Sequence, residues 1–318
     1  MTSITRAGLA VGAALLLAAC SSGGGSTATT GAPSAVPPAS TAATATVTPT
    51  ATWTPTVPPY GPALSRQVDP VNAALVQIAA AKNLTELNAA LGALDQAAQK
   101  GANGLPTSYF TPAGAVAGQA ELIPALRKLS GDAAKVRGDI TKKNVCAVSS
   151  ALAEFGQSEG LKTVPAALTK LTAAGYQTTF TVPETPKAQT RTLENGTLVR
   201  EGRLRGEGVF KVDNGGKSDA VVSLALNGKS VHSVYVAKGE KASIEGIEDG
   251  TYEVFFAGGV DWDSDAKAFT QNCRFTKFQD TLAFETGRTA TSWSITLQPT
   301  LGGNAKTDDV DANNFPQP

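Results

Sequence analysis

The segment VVSLALNGKSVHSVYV, Val221–Val236, decides the fold of the C-terminal half of this chain. From Val222 to Leu226 every second residue is large and apolar, as in a strand with one buried face. Asn227-Gly228 follows at once, and this dipeptide is a preferred two-residue turn of β-hairpins. Apolar residues return over Val231–Val236, so the segment predicts two antiparallel strands joined by a tight turn.

Similar patterns lie on both sides of this hairpin. Turn signals recur at Asn195-Gly196 and Asn214-Gly215. Seven or eight short strands at this spacing predict an antiparallel β-sandwich over residues 191–301. The further strands are predicted at Gly208–Val212, Ala242–Ile247, Thr251–Phe256, Cys273–Phe278 and Thr291–Leu297.

Residues 67–176 carry the 3.6-residue period of helices instead. Asp69-Pro70 predicts an N-cap followed by proline at the first helical position. A second helix is predicted to begin at Asn83, with Glu86 completing a capping box, and to end at Gly101. Short loops containing Gly or Pro separate the apolar stripes, which favours an antiparallel bundle of four or five helices.

Charge and composition narrow the classes of function. Lys plus Arg and Asp plus Glu are equal at 27 each, and the chain holds one His and three Cys. Nucleic acid is excluded as an expected partner, because phosphate binding needs clustered basic residues. A single His also excludes metal sites built from several imidazoles.

The N-terminus predicts export. Arg6 precedes Ala7–Ala19, an uncharged and mostly apolar run of 13 residues. A membrane-spanning helix needs about 20 apolar residues, so this shorter run predicts a secretory signal peptide.

Leu17-Ala18-Ala19-Cys20 resembles the lipobox of bacterial lipoproteins. The resemblance implies that the chain is cut before Cys20 and that this cysteine is acylated, for instance with palmitate, which anchors the protein to the membrane. The whole chain also resembles secreted lipoproteins of high-GC Gram-positive bacteria. These resemblances imply a location on the extracellular face of the bacterial cell membrane.

The predicted organisation is α+β and multidomain. No charged residue lies between Arg6 and Arg66, and residues 21–62 are almost entirely Ser, Thr, Ala, Gly, Pro and Val, which predicts a disordered tether. The predicted parts are a signal peptide at 1–19, the lipidated Cys20 and tether at 20–66, the α-helical bundle at 67–176, a linker at 177–190, the β-sandwich at 191–301 and a flexible tail at 302–318.

The stretch from Lys238 to Val254 contains Gly250-Thr251-Tyr252-Glu253-Val254. Its G-x-Y-x-V pattern is similar to the strand-turn-strand of transthyretin-like and carboxypeptidase-regulatory-type sandwiches. The resemblance implies a β-sandwich in a broad and mostly non-catalytic family.

Cys146 and Cys273 remain once Cys20 is assigned to the lipid anchor. Either they form a disulfide, which an oxidising compartment permits, or they are two separate buried thiols. Because they fall in different predicted domains, a disulfide would join the two.

Asp261-Trp262-Asp263-Ser264-Asp265 is the strongest candidate ligand site. Carboxylates at 261, 263 and 265 resemble the start of a calcium loop, and calcium binds several oxygens. The pattern departs from an EF-hand, since Ala266 and Asn272 replace the Gly and the Glu. The alternative interpretation is a solvated acidic loop.

Aromatic residues around this loop have two interpretations. They form either an exposed stacking platform for a carbohydrate or the core of a small sandwich. The residues are Trp262, Phe269, Phe275, Phe278 and Trp293.

Gly156-Gln157-Ser158-Glu159-Gly160 matches the G-x-S-x-G of hydrolase nucleophile elbows. That elbow needs a strand before the serine, whereas a helix is predicted there, so a helix C-cap turn is favoured. His232, the conceivable base of a cell-wall hydrolase, lies in a predicted strand, where a buried structural His is the alternative.

We therefore expect a non-enzymatic, lipid-anchored envelope or binding module, with a cell-envelope glycan or protein as partner. The alternative is a carbohydrate- or calcium-binding sandwich with its site near Asp261–Asp265. No cofactor other than calcium is expected.

Overall fold

The computed structural model describes residues 59–105, 110–298 and 305–318. They contain five α-helices in the N-terminal half and ten β-strands in the C-terminal half, which confirms the predicted α+β order. All described residues belong to one compact unit. Cys20 and the predicted signal peptide lie outside the described residues.

The helices share one apolar core. Helix α3 packs against α2, α4 and α5, and α1 packs against α2. The buried side chains include Leu75, Leu91, Leu126 and Leu171. The helices are α1 (Tyr60–Ala80), α2 (Leu84–Gly104), α3 (Val116–Thr141), α4 (Val148–Gly156) and α5 (Glu159–Ala173).

Helix α1 begins earlier than predicted. Its first residue is Tyr60, so Pro70 lies inside the helix and Asp69 is not its N-cap. Tyr60, Leu64 and Val68 are buried and extend the apolar face upstream. The predicted boundary of the tether at residue 66 is therefore wrong, because packing of these three side chains outweighs the helix-start signal of Asp69-Pro70.

The N-cap of α2 is as predicted, but its end is not. The Glu86 N–H donates to Asn83 Oδ1 over 2.9 Å. The helix continues past Gly101 to Gly104. A Cβ atom at Gly101 would lie 3.0 Å from the Gln67 carbonyl oxygen, so glycine here permits α1 and α2 to pack closely.

The strands form two sheets. Seven strands pair in the order β1-β4-β3-β6-β7-β10, with β8 pairing to β6, and three pair in the order β5-β2-β9. All pairs are antiparallel except β2 with β9. The strands are β1 (Leu198–Arg200), β2 (Leu204–Asp213), β3 (Asp219–Leu226), β4 (Lys229–Val236), β5 (Lys241–Ile247), β6 (Gly250–Asp263), β7 (Ala268–Phe278), β8 (Leu282–Phe284), β9 (Ser292–Thr296) and β10 (Thr307–Asp309).

The hairpin of β3 and β4 forms as predicted. Asn227 and Gly228 both have positive φ, 51° and 72°, as the two-residue turn requires. Alternate β3 side chains then enter different cores. Val222 and Leu224 pack with Phe210 of the three-stranded sheet, whereas neighbouring residues pack on the opposite face of the seven-stranded sheet.

The C-terminal residues 305–318 are not the flexible tail that was predicted. Strand β10 pairs with β7, with Thr307 opposite Phe278. Phe315 is 6% exposed, and its ring centroid lies 5.9 Å from that of Phe255 and 5.2 Å from that of Phe275. A short polar sequence gave no periodic signal, but burial of one aromatic ring holds the segment on the sheet.

We expect Phe315→Ala to lower the free energy of unfolding by about 3 kcal/mol, because it empties a buried aromatic site. Urea denaturation of the full chain measures this. Val182, which is 45% exposed, gives the matched control. Val182→Ala should change stability by less than about 0.5 kcal/mol. Equal stability of the Phe315 variant and the parent protein would contradict the docking of this segment.

Candidate functional site

Residues 143–146, which follow α3, pair with β7. The Cys146 N–H donates to the Thr270 carbonyl over 2.8 Å, and the Cys273 N–H donates to the Lys143 carbonyl over 3.0 Å. The Ser150 hydroxyl adds a 2.7 Å hydrogen bond to the same Thr270 carbonyl. The segment between α3 and α4 therefore extends the edge of the seven-stranded sheet.

A disulfide joins Cys146 and Cys273 at this junction, with their Cα atoms 6.3 Å apart. The structure thus has the paired arrangement rather than two separate thiols. The two cysteines are 127 residues apart in sequence, so the bond closes a long loop between helical and β residues. A cross-link over such a loop removes much conformational freedom from the unfolded chain.

Asp261 forms an ion pair beside the junction. Its side chain is 3% exposed. Arg191 donates to Oδ1 from Nε over 2.9 Å and to Oδ2 from Nη2 over 2.8 Å, and its backbone N–H donates to Oδ1 over 2.8 Å. The Thr270 hydroxyl donates to Oδ2 over 2.6 Å. The Arg191 guanidinium is the main cause that lowers the pKa of Asp261 to about 2.

The other two aspartates of the predicted calcium loop do not converge with Asp261 on an ion. Asp263 Oδ2 lies 3.1 Å from Arg191 Nη1, and Oδ1 accepts the backbone N–H groups of Asp265 and Ala266, each at 3.0 Å. Asp265 is exposed. Among the described residues no group of three His, Cys, Asp or Glu side chains is placed to hold a metal. The calcium-loop hypothesis is wrong in this geometry, because the guanidinium takes the carboxylate oxygens.

A register shift in the β6–β7 pair lies just before Asp261. The register of β6 against β7 shifts between Gly258 and Val260. Asp261 has a φ of 58°, in the left-handed region that Asp tolerates better than most residues. Asp261 and Trp262 are adjacent and both buried, because Trp262 packs in the core while Asp261 pairs with Arg191. From Val260 to Asp263 the register against β7 is regular, so Asp261 and Asp263 share one face of β6, and both contact Arg191.

Trp262 belongs to the core. It is 2% exposed, and its ring centroid lies 5.0 Å from that of Phe269 and 6.3 Å from that of Tyr235. The prediction that Trp262 belongs to an exposed stacking platform for a carbohydrate is therefore wrong. Trp262 fills a core instead, as the alternative interpretation predicted. Trp293 differs from Trp262, since it is 38% exposed.

Ser158 and His232 have separate structural roles. Helix α4 ends at Gly156, and Ser158 is the N-cap of α5, accepting the Leu161 N–H over 3.3 Å. His232 is 1% exposed, and its Nδ1 accepts the Gly202 N–H over 3.3 Å. Burial lowers the pKa of His232. The structure does not hydrogen-bond these two residues to each other.

A cleft of about 800 Å³ lies between β9 and the seven-stranded sheet. The Trp293 indole N–H donates to the Ala283 carbonyl of β8 over 2.8 Å, which ties the two sheets together beside the cleft. Asp280 is the charged residue of its lining. The apolar lining residues are Val254, Phe256, Phe278, Leu282, Trp293, Ile295, Leu297 and Ala305, and the uncharged polar ones are Thr281, Ser294, Thr296, Gln298 and Thr307.

The sequence predicted a strand at Thr291–Leu297 but not this cleft. Whether a strand lies at a sheet edge depends on pairing partners distant in sequence, and no local pattern reports them. One signal of an exposed strand was available in the sequence. Trp293 and Ile295 alternate with the small hydroxyl residues Ser and Thr.

Comparison with known proteins yields no relative. No protein family, curated protein or solved structure matches the chain. Within the described residues, no helix is long and apolar enough to cross a membrane.

Reduction of the disulfide should lower the free energy of unfolding by about 3–5 kcal/mol, because the unfolded chain regains the freedom of the closed loop. Thermal unfolding of the full chain with and without dithiothreitol measures this. The Cys146→Ser, Cys273→Ser double variant is the control, and dithiothreitol should not change its stability. An equal effect of the reductant on both proteins would refute the assignment.

Arg191→Met should lower the free energy of unfolding by about 2 kcal/mol at pH 7, less than for a fully buried pair because Arg191 is 41% exposed. The ion pair with Arg191 lowers the pKa of Asp261 and stabilises the fold at pH values above about 4, the pKa of an Asp carboxyl in the unfolded chain. This stabilisation is lost as pH falls toward 2. Denaturation curves from pH 7 to 2 should therefore show the two proteins converging. Asp265→Asn should behave as the parent protein throughout.

Proposed function

We propose that this protein is a lipid-anchored, non-enzymatic binding module displayed on the outer face of the bacterial cell membrane. The main support for this proposal is the lipobox-like sequence Leu17-Ala18-Ala19-Cys20, which ends a short, uncharged apolar run. Acyl chains on Cys20 would supply anchoring that a run of 13 residues is too short to provide as a spanning helix. Residues 21–59 would then separate the anchor from α1.

The disulfide supports this location. Structural disulfides persist in oxidising compartments outside the cytoplasm and are rare in the reducing cytosol. The bond joins the segment between α3 and α4 to β7, so it would hold the helical half and the β half together outside the cytoplasm. We propose in addition that the two sheets, whose apolar side chains share one core, form a β-sandwich.

The structural roles of Ser158 and His232, the candidate catalytic residues, favour binding rather than catalysis. Ser158 caps a helix and His232 accepts a backbone hydrogen bond inside the sheet. The equal number of acidic and basic residues disfavours nucleic acid. A cell-envelope glycan or protein is the expected class of partner, and the cleft beside β9 offers a concave surface for it.

We expect Cys20→Ala to abolish incorporation of radiolabelled palmitate, because the acylated thiol is removed. Expression of the full chain in a Gram-positive host, followed by immunoprecipitation, measures the label. Mass spectrometry of the parent protein should find acylated Cys20 as the first residue. The Cys146→Ser, Cys273→Ser double variant should keep its label. Label on the Cys20 variant, or an unmodified parent chain, would refute the proposal.

A further inference from the structure

The pairing of β9 leaves one of its edges open. Strand β9 is the last strand of the three-stranded sheet, and within the described residues its only strand neighbour is β2. The pairing is parallel, with Phe210 opposite Trp293. The Val209 N–H donates to the Thr291 carbonyl and the Leu297 N–H donates to the Asp213 carbonyl, each over 3.0 Å.

These two bonds fix which backbone groups are turned toward β2. In a parallel pair, alternate residues of a strand bond to one neighbour. The N–H groups of Trp293, Ile295 and Leu297 therefore face β2. The N–H and C=O groups of the residues between them, Ser292, Ser294 and Thr296, face the open edge.

The open edge lacks the usual protection against strand addition. Natural edge strands are commonly blocked by charges, proline or bulges. Strand β5, at the other side of the same sheet, carries Lys241 and Glu245. Strand β9 reads Ser-Trp-Ser-Ile-Thr, with no charge and no proline, and Trp, Ile and Thr are residue types enriched in strands.

The cleft beside this edge has the size of a short strand. A residue in packed sheets occupies roughly 160 Å³, since strands lie about 4.8 Å apart, sheets lie about 10 Å apart and the rise is about 3.3 Å. The cleft of about 800 Å³ thus corresponds to about five residues. Strand β9 itself has five. Phe256 and Phe278 of the seven-stranded sheet line the cleft and form an apolar floor for alternate side chains.

We propose that the cleft binds an extended peptide segment of a partner protein, which adds a fourth strand to the three-stranded sheet along β9. Backbone hydrogen bonds to Ser292, Ser294 and Thr296 supply the affinity, and apolar side chains at every second peptide position cover Phe256 and Phe278. Asp280 at the rim favours a peptide with a basic residue. This inference rests on the proposed function as a binding module and names its partner class.

A second copy of the chain does not fit the same edge. Antiparallel pairing of two β9 strands would place a two-fold axis perpendicular to the sheet, so both seven-stranded sheets would lie on the same side. Residues of β7 and β10 line the cleft, which means that the seven-stranded sheet extends beyond β9. Two such sheets would overlap, whereas a single extended peptide fits.

The test uses the full chain and the peptide Lys-Val-Thr-Val-Thr-Val-Lys, acetylated and amidated at its ends. Hydrogen–deuterium exchange with mass spectrometry should show slower exchange at the amides of Ser292, Ser294 and Thr296 when the peptide is added. The same peptide with N-methyl groups on alternate residues lacks donors for the ladder and should leave exchange unchanged.

Two proline variants test the register. Ser294→Pro removes an outward N–H and should weaken peptide binding about tenfold without lowering the unfolding temperature. Ile295→Pro removes an N–H directed to β2 and should lower the unfolding temperature. If Ser294→Pro does not fold, the N-methylated peptide still decides the question on the parent protein.

Three results would overturn the proposal. They are unchanged exchange with the unmodified peptide, equal protection by the N-methylated peptide, and slow exchange at these amides before any peptide is added. The last would mean that residues 299–304 of the chain itself, which lie outside the described residues, already occupy the edge. None of these results affects lipid attachment at Cys20, so the two proposals fail separately.

Discussion

The covalent and hydrogen-bonded junction between residues 143–146 and β7 is the constraint on which the rest of the structure depends. Backbone hydrogen bonds to Thr270 and Lys143 align the two segments, and the Cys146–Cys273 disulfide fixes them. The bundle and the sheets make few other contacts through their elements, of which α4 with β7 is one. A helical half and a β half that could each bury a core therefore become one unit through a short segment.

The buried carboxylate of Asp261 depends on the same junction. Thr270 presents its carbonyl to Cys146 and Ser150, and its hydroxyl to Asp261. An isolated buried carboxylate would be costly, so Arg191, which precedes β1, must come to it. Its guanidinium and backbone N–H together hold the chain at the start of the β-rich half. The end of the linker that leads into the β-rich half is thereby attached to β6.

The sequence predicted local helix and strand signals better than it predicted contacts between residues distant in the chain. The β3–β4 hairpin and the Asn83 N-cap form as expected because their signals are local. The sequence did not predict the start of α1, the burial of Phe315 or the ion pair of Asp261 with Arg191. Each depends on side chains distant in the sequence. The candidate site shows the same limit. Carboxylates at every second position share one face of a strand, as Asp261 and Asp263 do, but no local pattern reported that Arg191 pairs with both.

The proposed binding edge of β9 has a cost in exposed surface. Among the described residues, the sheet that packs against the apolar face of the seven-stranded sheet has three strands, and β9 forms one of its edges. Beside this edge Phe256 is half-buried and Trp293 is partly exposed. Exposed apolar surface beside unpaired backbone groups is an aggregation hazard that charges would remove, as they do at β5. An edge that keeps neither charge nor proline is better explained by a strand that pairs with it than by the stability of the isolated chain.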